Sequence, residues 1–196
     1  DHDKSIHIVA DGIGGYDCGE IASKIVCESY IHGLVNNLSI DEVTKEVSRN
    51  IQTECRNLGV SKMGSTVAAV VLNGLQASIF WAGDSRVYVF RDKHLLYQTE
   101  DHSLLNELSR VRELSFDEKK RYKHIITRSI MGNADDKVDH DNLELCFGDE
   151  ILICTDGMYN EYPIDYLIES IRMDKLDIEK KNDSFTDNHS FIYILL

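Results

Sequence analysis

The sequence contains a single proline in 196 residues and no repeated or low-complexity tract, which excludes collagen-like and proline-rich linker architectures. No stretch approaches the roughly eighteen consecutive apolar residues that a bilayer-spanning helix needs. The opening Asp1-His2-Asp3-Lys4 is not the basic-then-apolar start of a secretory signal, so the expected setting is cytoplasmic, without membrane insertion. Cysteine is sparse and scattered: Cys18, Cys27, Cys55, Cys146 and Cys154 form no C-x-x-C pair. An odd number without metal-ligand spacing argues against a disulfide framework and against structural zinc. Free thiols are expected, with Cys27, Cys55 and Cys154 buried inside apolar patterns. A thiol-phosphatase loop is also missing, because Val60 and Tyr159 stand where an arginine should follow Cys55 and Cys154. Positive charge is in deficit, with 21 Lys and Arg against 34 Asp and Glu for a net charge of −13. Such a surface repels phosphate backbones and anionic lipid, so nucleic acid and membranes are poor partners.

What remains is an ordinary globular composition, 42% hydrophobic and 28% charged, read as one domain over residues 1–196. Ser5 to Ala10 reads as a strand running into the glycines Gly12, Gly14 and Gly15. From Glu20 to about Leu38, apolar residues recur at helical spacing. Ser39 with Glu42 makes a capping box for a second helix, whose stripe Val43, Val47, Ile51 and Cys55 repeats every four residues. Strands are expected over Thr66–Leu72, Leu75–Ala82, Arg86–Phe90 and His94–Gln98, with turns at Asn73-Gly74 and Asp92-Lys93. Ser103–Arg110 and the piece capped by Ser115 and Glu118 read as short helices. Leu143–Phe147 and Glu150–Cys154 read as a hairpin across Gly148-Asp149. Tyr166–Met173 reads as a helix, and Ser190–Leu196 as a closing strand. The charged stretch Asp174 to Asp183 reads as a solvated helix end or loop. Hairpins and helices in separate blocks predict an α+β layered fold and not a doubly wound parallel sheet.

The chemistry concentrates in aspartates at strand ends. Asp11-Gly12 follows Ile6–Ala10, Asp84 follows Leu75–Ala82, Asp156-Gly157 follows Ile151–Thr155, and Asp187-Asn188 precedes Phe191–Leu196. Any one of these is an ordinary turn dipeptide. Four of them at the mouths of apolar strands suit a carboxylate cluster held by a rigid sheet. Hard cations such as Mg²⁺ and Mn²⁺ want this oxygen-rich donor set. Zinc is disfavoured, since no histidine pair has helical ligand spacing. Asp17 stands where a dinucleotide fingerprint needs its third glycine, and a Walker-type Gly-Lys-Ser/Thr is absent.

The order of segments resembles the metal-dependent protein phosphatase family of the 2C type, in its bacterial form. Val9-Ala10-Asp11-Gly12-Ile13-Gly14-Gly15 is similar to the family's opening motif. Gly64-Ser65-Thr66, Ala82-Gly83-Asp84-Ser85-Arg86, Thr99-Glu100-Asp101-His102-Ser103, Ile126-Thr127-Arg128-Ser129, Cys154-Thr155-Asp156-Gly157 and Asp187-Asn188 follow in family order. The resemblance runs from Ile8 to the last residue. It implies a four-layer αββα sandwich of two antiparallel sheets flanked by helices. It also implies a two-metal centre of Mn²⁺ or Mg²⁺ held by Asp11, the Gly12 carbonyl, Asp156 and Asp187, with Asp84 near a weaker third ion. The implied reaction is hydrolysis of phosphoserine or phosphothreonine by metal-activated water, on phosphoproteins made by a serine/threonine kinase, by a monomeric enzyme. Residues 104–128 resemble the variable flap beside the active site. Ser65 and Ser85 are read as structural, and His102, His124 and His189 more as hydrogen-bonded structural residues than as catalysts.

Three departures from the family pattern stand out. Members normally place a phosphate-anchoring arginine and an acidic motif ahead of the first aspartate. Here only ten residues precede Asp11 and none is arginine, so the N-terminal strand is expected to be incomplete, with Asp1 or Asp3 as a remnant of the acidic motif. Ile13 replaces the histidine that eukaryotic members carry. Asn160 stands where an aspartate usually follows Asp156 by four residues. These departures keep open a second reading, a catalytically weak relative that acts as a regulatory or phosphoprotein-binding module.

Overall fold

The computed structural model describes residues 4–13, 18–176 and 187–196. Asp1 and Asp3, the glycines Gly14 and Gly15, and most of the charged stretch after Asp174 lie outside the described residues. Two four-stranded antiparallel sheets form the centre. The first has the order β1 (Lys4–Val9), β2 (Val67–Asn73), β3 (Gln76–Ala82), β6 (Asp139–Glu144). The second has the order β5 (His94–Gln98), β4 (Arg86–Arg91), β7 (Glu150–Cys154), β8 (Phe191–Leu195).

Strand alternation sorts the side chains into three apolar layers, which is why two sheets and two helical flanks result. Ala68, Val70 and Leu72 of β2 and Ile79 of β3 point inward to meet Val87, Val89, Ile151 and Ile153 from the other sheet. Their sequence neighbours Val67, Ala69, Val71 and Phe80 point outward, against helices α1 (Gly19–Val35) and α2 (Ile40–Leu58). On the opposite flank Tyr88, Phe90, Leu152 and Cys154 pack under α5 (Asp156–Glu161) and α6 (Ile164–Arg172). Each fully buried Val, Ile or Phe contributes about 1.5–3 kcal/mol relative to exposure. The layering is the αββα arrangement that the family resemblance implied.

Local signals explain most boundaries. The Ser39 hydroxyl accepts the Glu42 amide and the Glu42 carboxylate returns to the Ser39 amide at 2.9 Å, closing the box that starts α2. Helix α1 ends at Val35, earlier than the apolar pattern suggested. Asn37 turns left-handed (φ 60) and lets the Leu38 amide bond back to Gly33, the usual way an Asn terminates a helix. Helices α3 (Leu104–Ser109) and α4 (Phe116–Tyr122) start at Ser103 and Ser115 as expected. Asp92 and Lys93 both have positive φ (50 and 67), the signature of a type I′ hairpin turn.

Two turns differ from the sequence reading. The first hairpin pairs Asn73 with Gln76, so its turn residues are Gly74-Leu75, one position later than Asn73-Gly74. Only Gly74 takes positive φ there (58), and Leu75 is left to accept the Leu145 amide at 2.8 Å. The expected hairpin of Leu143–Phe147 with Glu150–Cys154 does not form. Strand β6 pairs with β3, whereas β7 pairs with β4 and β8, so Gly148-Asp149 carries the chain from one sheet to the other. Leu145 is driven into the layer between the sheets. Asp149 is held below the crossing by a bidentate pair with Arg91 (2.9 and 2.7 Å) and by the Cys146 amide (2.8 Å).

That pair, with Asp149 buried and Arg91 partly exposed, has a pH consequence. The Arg91 guanidinium, with smaller help from the Cys146 amide and against the cost of burial, holds the Asp149 carboxyl below its usual value of 3.8. A carboxylate depressed in the folded state stabilises the fold above the unfolded value, and that stability is lost as pH falls through the folded value. Thermal melts of wild type and Asp149→Asn should therefore differ by about 1–3 kcal/mol near neutrality, discounted for the partly exposed Arg91. The gap should close as pH falls below about 4, through the lowered value of Asp149. A constant gap across that window would remove the ion pair from the explanation.

Candidate active site

Antiparallel register brings the strand ends that carry aspartates to one rim. Val9 pairs with Ala68, Val67 with Ala82, and Arg86 with Cys154, which in turn pairs with Phe191. The residues just beyond these pairs are Asp11, Asp84, Asp156 and the segment Asp187–Ser190. All four predicted carboxylates thus share one end of the sandwich.

Asp11 is fixed by its backbone. The Asp11 amide donates to the Thr66 hydroxyl (3.0 Å), the Thr66 amide donates to the Asp11 carbonyl (2.8 Å), and the Ser65 hydroxyl reaches the same carbonyl (2.9 Å). The Thr66 hydroxyl also meets the Ser85 hydroxyl at 2.7 Å, joining this clamp to the turn that carries Asp84. Ser65 and Ser85 are therefore structural, as read from the sequence. Gly12 bridges to Ser65, and a Cβ there would overlap the Gly19 carbonyl, so no side chain fits.

Asp84 is buried, and its carbonyl accepts the Tyr159 hydroxyl at 2.8 Å. Asp156 opens α5, a helix that the sequence reading missed because Asp-Gly looks like a turn. Asp187 is exposed and accepts the Asn188 amide on its own side chain at 2.8 Å. Its segment is docked by exchange between Thr155 and Ser190: the Thr155 amide donates to the Ser190 carbonyl and the Ser190 amide to the Thr155 hydroxyl, both at 3.0 Å.

The carboxylates feel one another. Burial, then the charges of Asp156, Asp187 and Asp84, push Asp11 up to about 7. Burial, then Asp156 and Asp101, push Asp84 up to about 7 as well. Asp156 is raised by burial and by Asp187. Among the described residues, however, no three or more His, Cys, Asp or Glu side chains are drawn together as a ready-made cation cage. The rim is a set of hard oxygen donors under mutual repulsion, a donor set that fits divalent cations of the Mg²⁺ and Mn²⁺ type.

A cleft of about 370 Å³ opens beside the rim, lined among others by Asp84, Asp156, Lys123 and His124. Its wall includes Arg86, which the sequence reading placed in a motif without a role. Arg86 grips Asp101 through Nε and one terminal nitrogen (both 2.7 Å), donates to the Tyr88 hydroxyl (3.0 Å) and lies 3.6 Å from the Tyr159 ring centre. Arg86, Asp101 and Tyr159 thus hold the floor beneath Asp84. Of the three histidines singled out, His102 is buried. Its Nδ1 accepts the Gly83 amide (3.1 Å) and its Nε2 faces Asp139 (3.0 Å), a positioning role. His124 lines the cleft, and His189 is half-buried just ahead of β8.

The thiols stand apart from this chemistry. All five cysteines are free. Only Cys154 is fully buried, and burial pushes its thiol up to about 12. Cys27 and Cys55 are half-buried, not enclosed as expected, because each lies at the margin of its helix's apolar stripe. Alkylation of the native protein should modify exposed Cys146 first and leave turnover within about twofold of the untreated protein, since Cys146 sits beside Gly148-Asp149 at the far end of β7 from Asp156, and the buried Cys154 thiol is pushed up. Loss of turnover with the fold intact would require a thiol mechanism.

Comparison with known proteins agrees with this architecture. The family model described as protein phosphatase 2C matches residues 1–173. The serine/threonine phosphatase stp of Listeria monocytogenes serovar 1/2a is 30% identical over 198 residues, spanning 92% of this chain and 76% of that protein. Among solved structures, the S. agalactiae serine/threonine phosphatase superposes with a TM-score of 0.75 at 27% identity, over 98% of this chain and 88% of that one. The catalytic domain of the serine/threonine protein phosphatase PstP, solved in complex with two manganese ions, superposes with a TM-score of 0.77 over 97% of this chain and 89% of that one. At 21% identity it bears on the fold alone. With most of its length matched by the family model and by a relative of 30% identity, the chain belongs to the protein phosphatase 2C family.

Proposed function

We infer that this protein is a metal-dependent serine/threonine phosphatase, and that Asp11, the Gly12 carbonyl, Asp156 and Asp187 hold two divalent cations. The observation that carries the reading is the rim itself: carboxylates from four separate strand ends, two of them raised to about 7 by burial and mutual repulsion. Bound cations would relieve that repulsion, neutralise phosphoryl charge and make water acidic enough to attack at neutral pH. Mn²⁺ and Mg²⁺ both suit the donor set, and Mn²⁺ is the ion seen in the PstP relative.

The chain's own residues supply position. The Ser65–Thr66 clamp fixes Asp11, Tyr159 steadies the backbone at Asp84, and the Thr155–Ser190 exchange docks Asp187 near Asp156. Phosphoproteins made by a serine/threonine kinase are the expected substrates, the setting is cytoplasmic and the enzyme acts as a monomer. No helix among the described residues is long and apolar enough to cross a membrane.

A second reading, a catalytically weak phosphoprotein-binding module, is favoured by Asn160. Its side-chain amide donates to Asp156 Oδ2 at 3.1 Å, engaging a ligand oxygen that an aspartate would leave free. Asn160→Asp removes that donor and adds a charge beside Asp84 and Asp156, so it should tighten a weak third Mn²⁺ site by about tenfold, the order of one added carboxylate. Calorimetric metal titration of both proteins reads this, and an unchanged weak site would acquit Asn160. Hydrolysis of phosphoserine and phosphothreonine peptides by the chelator-stripped chain, with and without added Mn²⁺, separates the enzyme from the module. Turnover only with metal supports the enzyme, and peptide binding without turnover supports the module.

A further inference from the structure

A phosphoryl dianion entering the cleft meets Asp84, Glu100, Asp101 and Asp156 along the walls. Protein cations aimed at the phosphoryl oxygens are the usual complement to such chemistry. The arginines nearby are committed elsewhere. Every nitrogen of Arg86 is engaged, by Asp101 and the Tyr88 hydroxyl, and its face covers Tyr159. Arg128 is paired with Asp139 beside His102.

Lys123 is the remaining lysine or arginine of the cleft wall, and among the described residues its ammonium takes part in no recorded hydrogen bond or ion pair. The residue is held in place at its backbone. Its amide caps α4 on the Lys119 carbonyl at 3.2 Å. Two residues on, Ile125 accepts the Leu104 amide at 2.8 Å, Ile126 bridges to Ser103, and the Thr127 amide bonds the His102 carbonyl at 2.8 Å. The segment bearing Lys123 is therefore stitched to the loop before α3, and Lys123 lines the cleft from it. The adjacent His124 lines the same cleft.

We propose that Lys123 anchors the phosphoryl group of the substrate, a positioning role supplied by the segment after α4. The proposal rests on the phosphatase reading. A lysine offers a mobile point charge with three donors, which suits a group that must be captured and then released as inorganic phosphate.

The test uses the Mn²⁺-loaded full chain and compares wild type, Lys123→Ala, Lys123→Arg and Lys119→Ala. Lys119 is exposed on the same helix and outside the cleft, so it controls for bulk charge. Lys123→Ala should raise KM about tenfold for both p-nitrophenyl phosphate and a phosphothreonine peptide, and weaken inhibition by inorganic phosphate equally, the order of one charge-assisted hydrogen bond. kcat should stay within about twofold, Lys123→Arg should recover most of the loss, and Lys119→Ala should behave as wild type. Calorimetric binding of inorganic phosphate reads the same contact without turnover, so failure of hydrolysis in wild type sinks the phosphatase reading while Lys123 is still judged. Unchanged phosphate affinity in Lys123→Ala, or an equal loss in Lys119→Ala, overturns the proposal.

Discussion

Asp156→Asn should lower turnover on a phosphothreonine peptide by at least about a hundredfold, or about 2.7 kcal/mol of transition-state stabilisation. Asp156 lies at the centre of the rim, since its charge acts on both Asp11 and Asp84. The substitution keeps its shape and the start of α5 while removing one negative charge from the proposed cation-binding set. Relief of repulsion should leave the metal-free protein at least as stable as wild type, which separates lost chemistry from lost fold. Activity within tenfold of wild type would show that the cations are held elsewhere.

Gly157→Ala should, like any side chain at Gly12, be among the most damaging single changes in the site. A Cβ at this position would overlap the Asn188 carbonyl, which is backbone and cannot swing away as a side-chain end can. The segment carrying Asp187 and Asn188 must then lift from α5, straining the Thr155–Ser190 exchange. Overpacking of this kind costs about 1–3 kcal/mol of stability, and misplacement of a ligand by about an ångström costs about a hundredfold in rate. The expected result is a lowered Tm together with a turnover loss comparable to that of Asp187→Asn. A variant that melts and turns over like wild type would show that the two segments are not packed as described.

The elements that could be read in the sequence are those whose signal is local. The capping boxes at Ser39 and Ser115, the Asp92-Lys93 turn and the near-continuous apolar runs of β2, β3 and β4 each carry their own pattern. Asp11, Asp84, Asp156 and Asp187 were visible because each follows or precedes an apolar strand, and antiparallel pairing then gathers strand ends that are far apart in sequence. Strand β6 was not legible: Asp-His-Asp-Asn-Leu-Glu is polar but for Leu143 because it is an exposed edge, so no alternation marks it. Its partner was misassigned for the same reason, since nothing local says that Gly148-Asp149 changes sheets. The roles of Tyr159, Arg86 and Thr66 depend on partners 75, 15 and 55 residues away, and no spacing rule reaches that far.

Counting the Mn²⁺ held by the chelator-stripped full chain, by calorimetry with metal analysis after dialysis, tests the central claim most directly. The account predicts about two tightly bound ions per chain, the number a binuclear phosphoester hydrolase uses. Binding should fall in Asp156→Asn, and phosphothreonine hydrolysis should return in step with occupancy. A stripped chain that hydrolyses the peptide at full rate, or one that binds no Mn²⁺ at millimolar concentration, would contradict it.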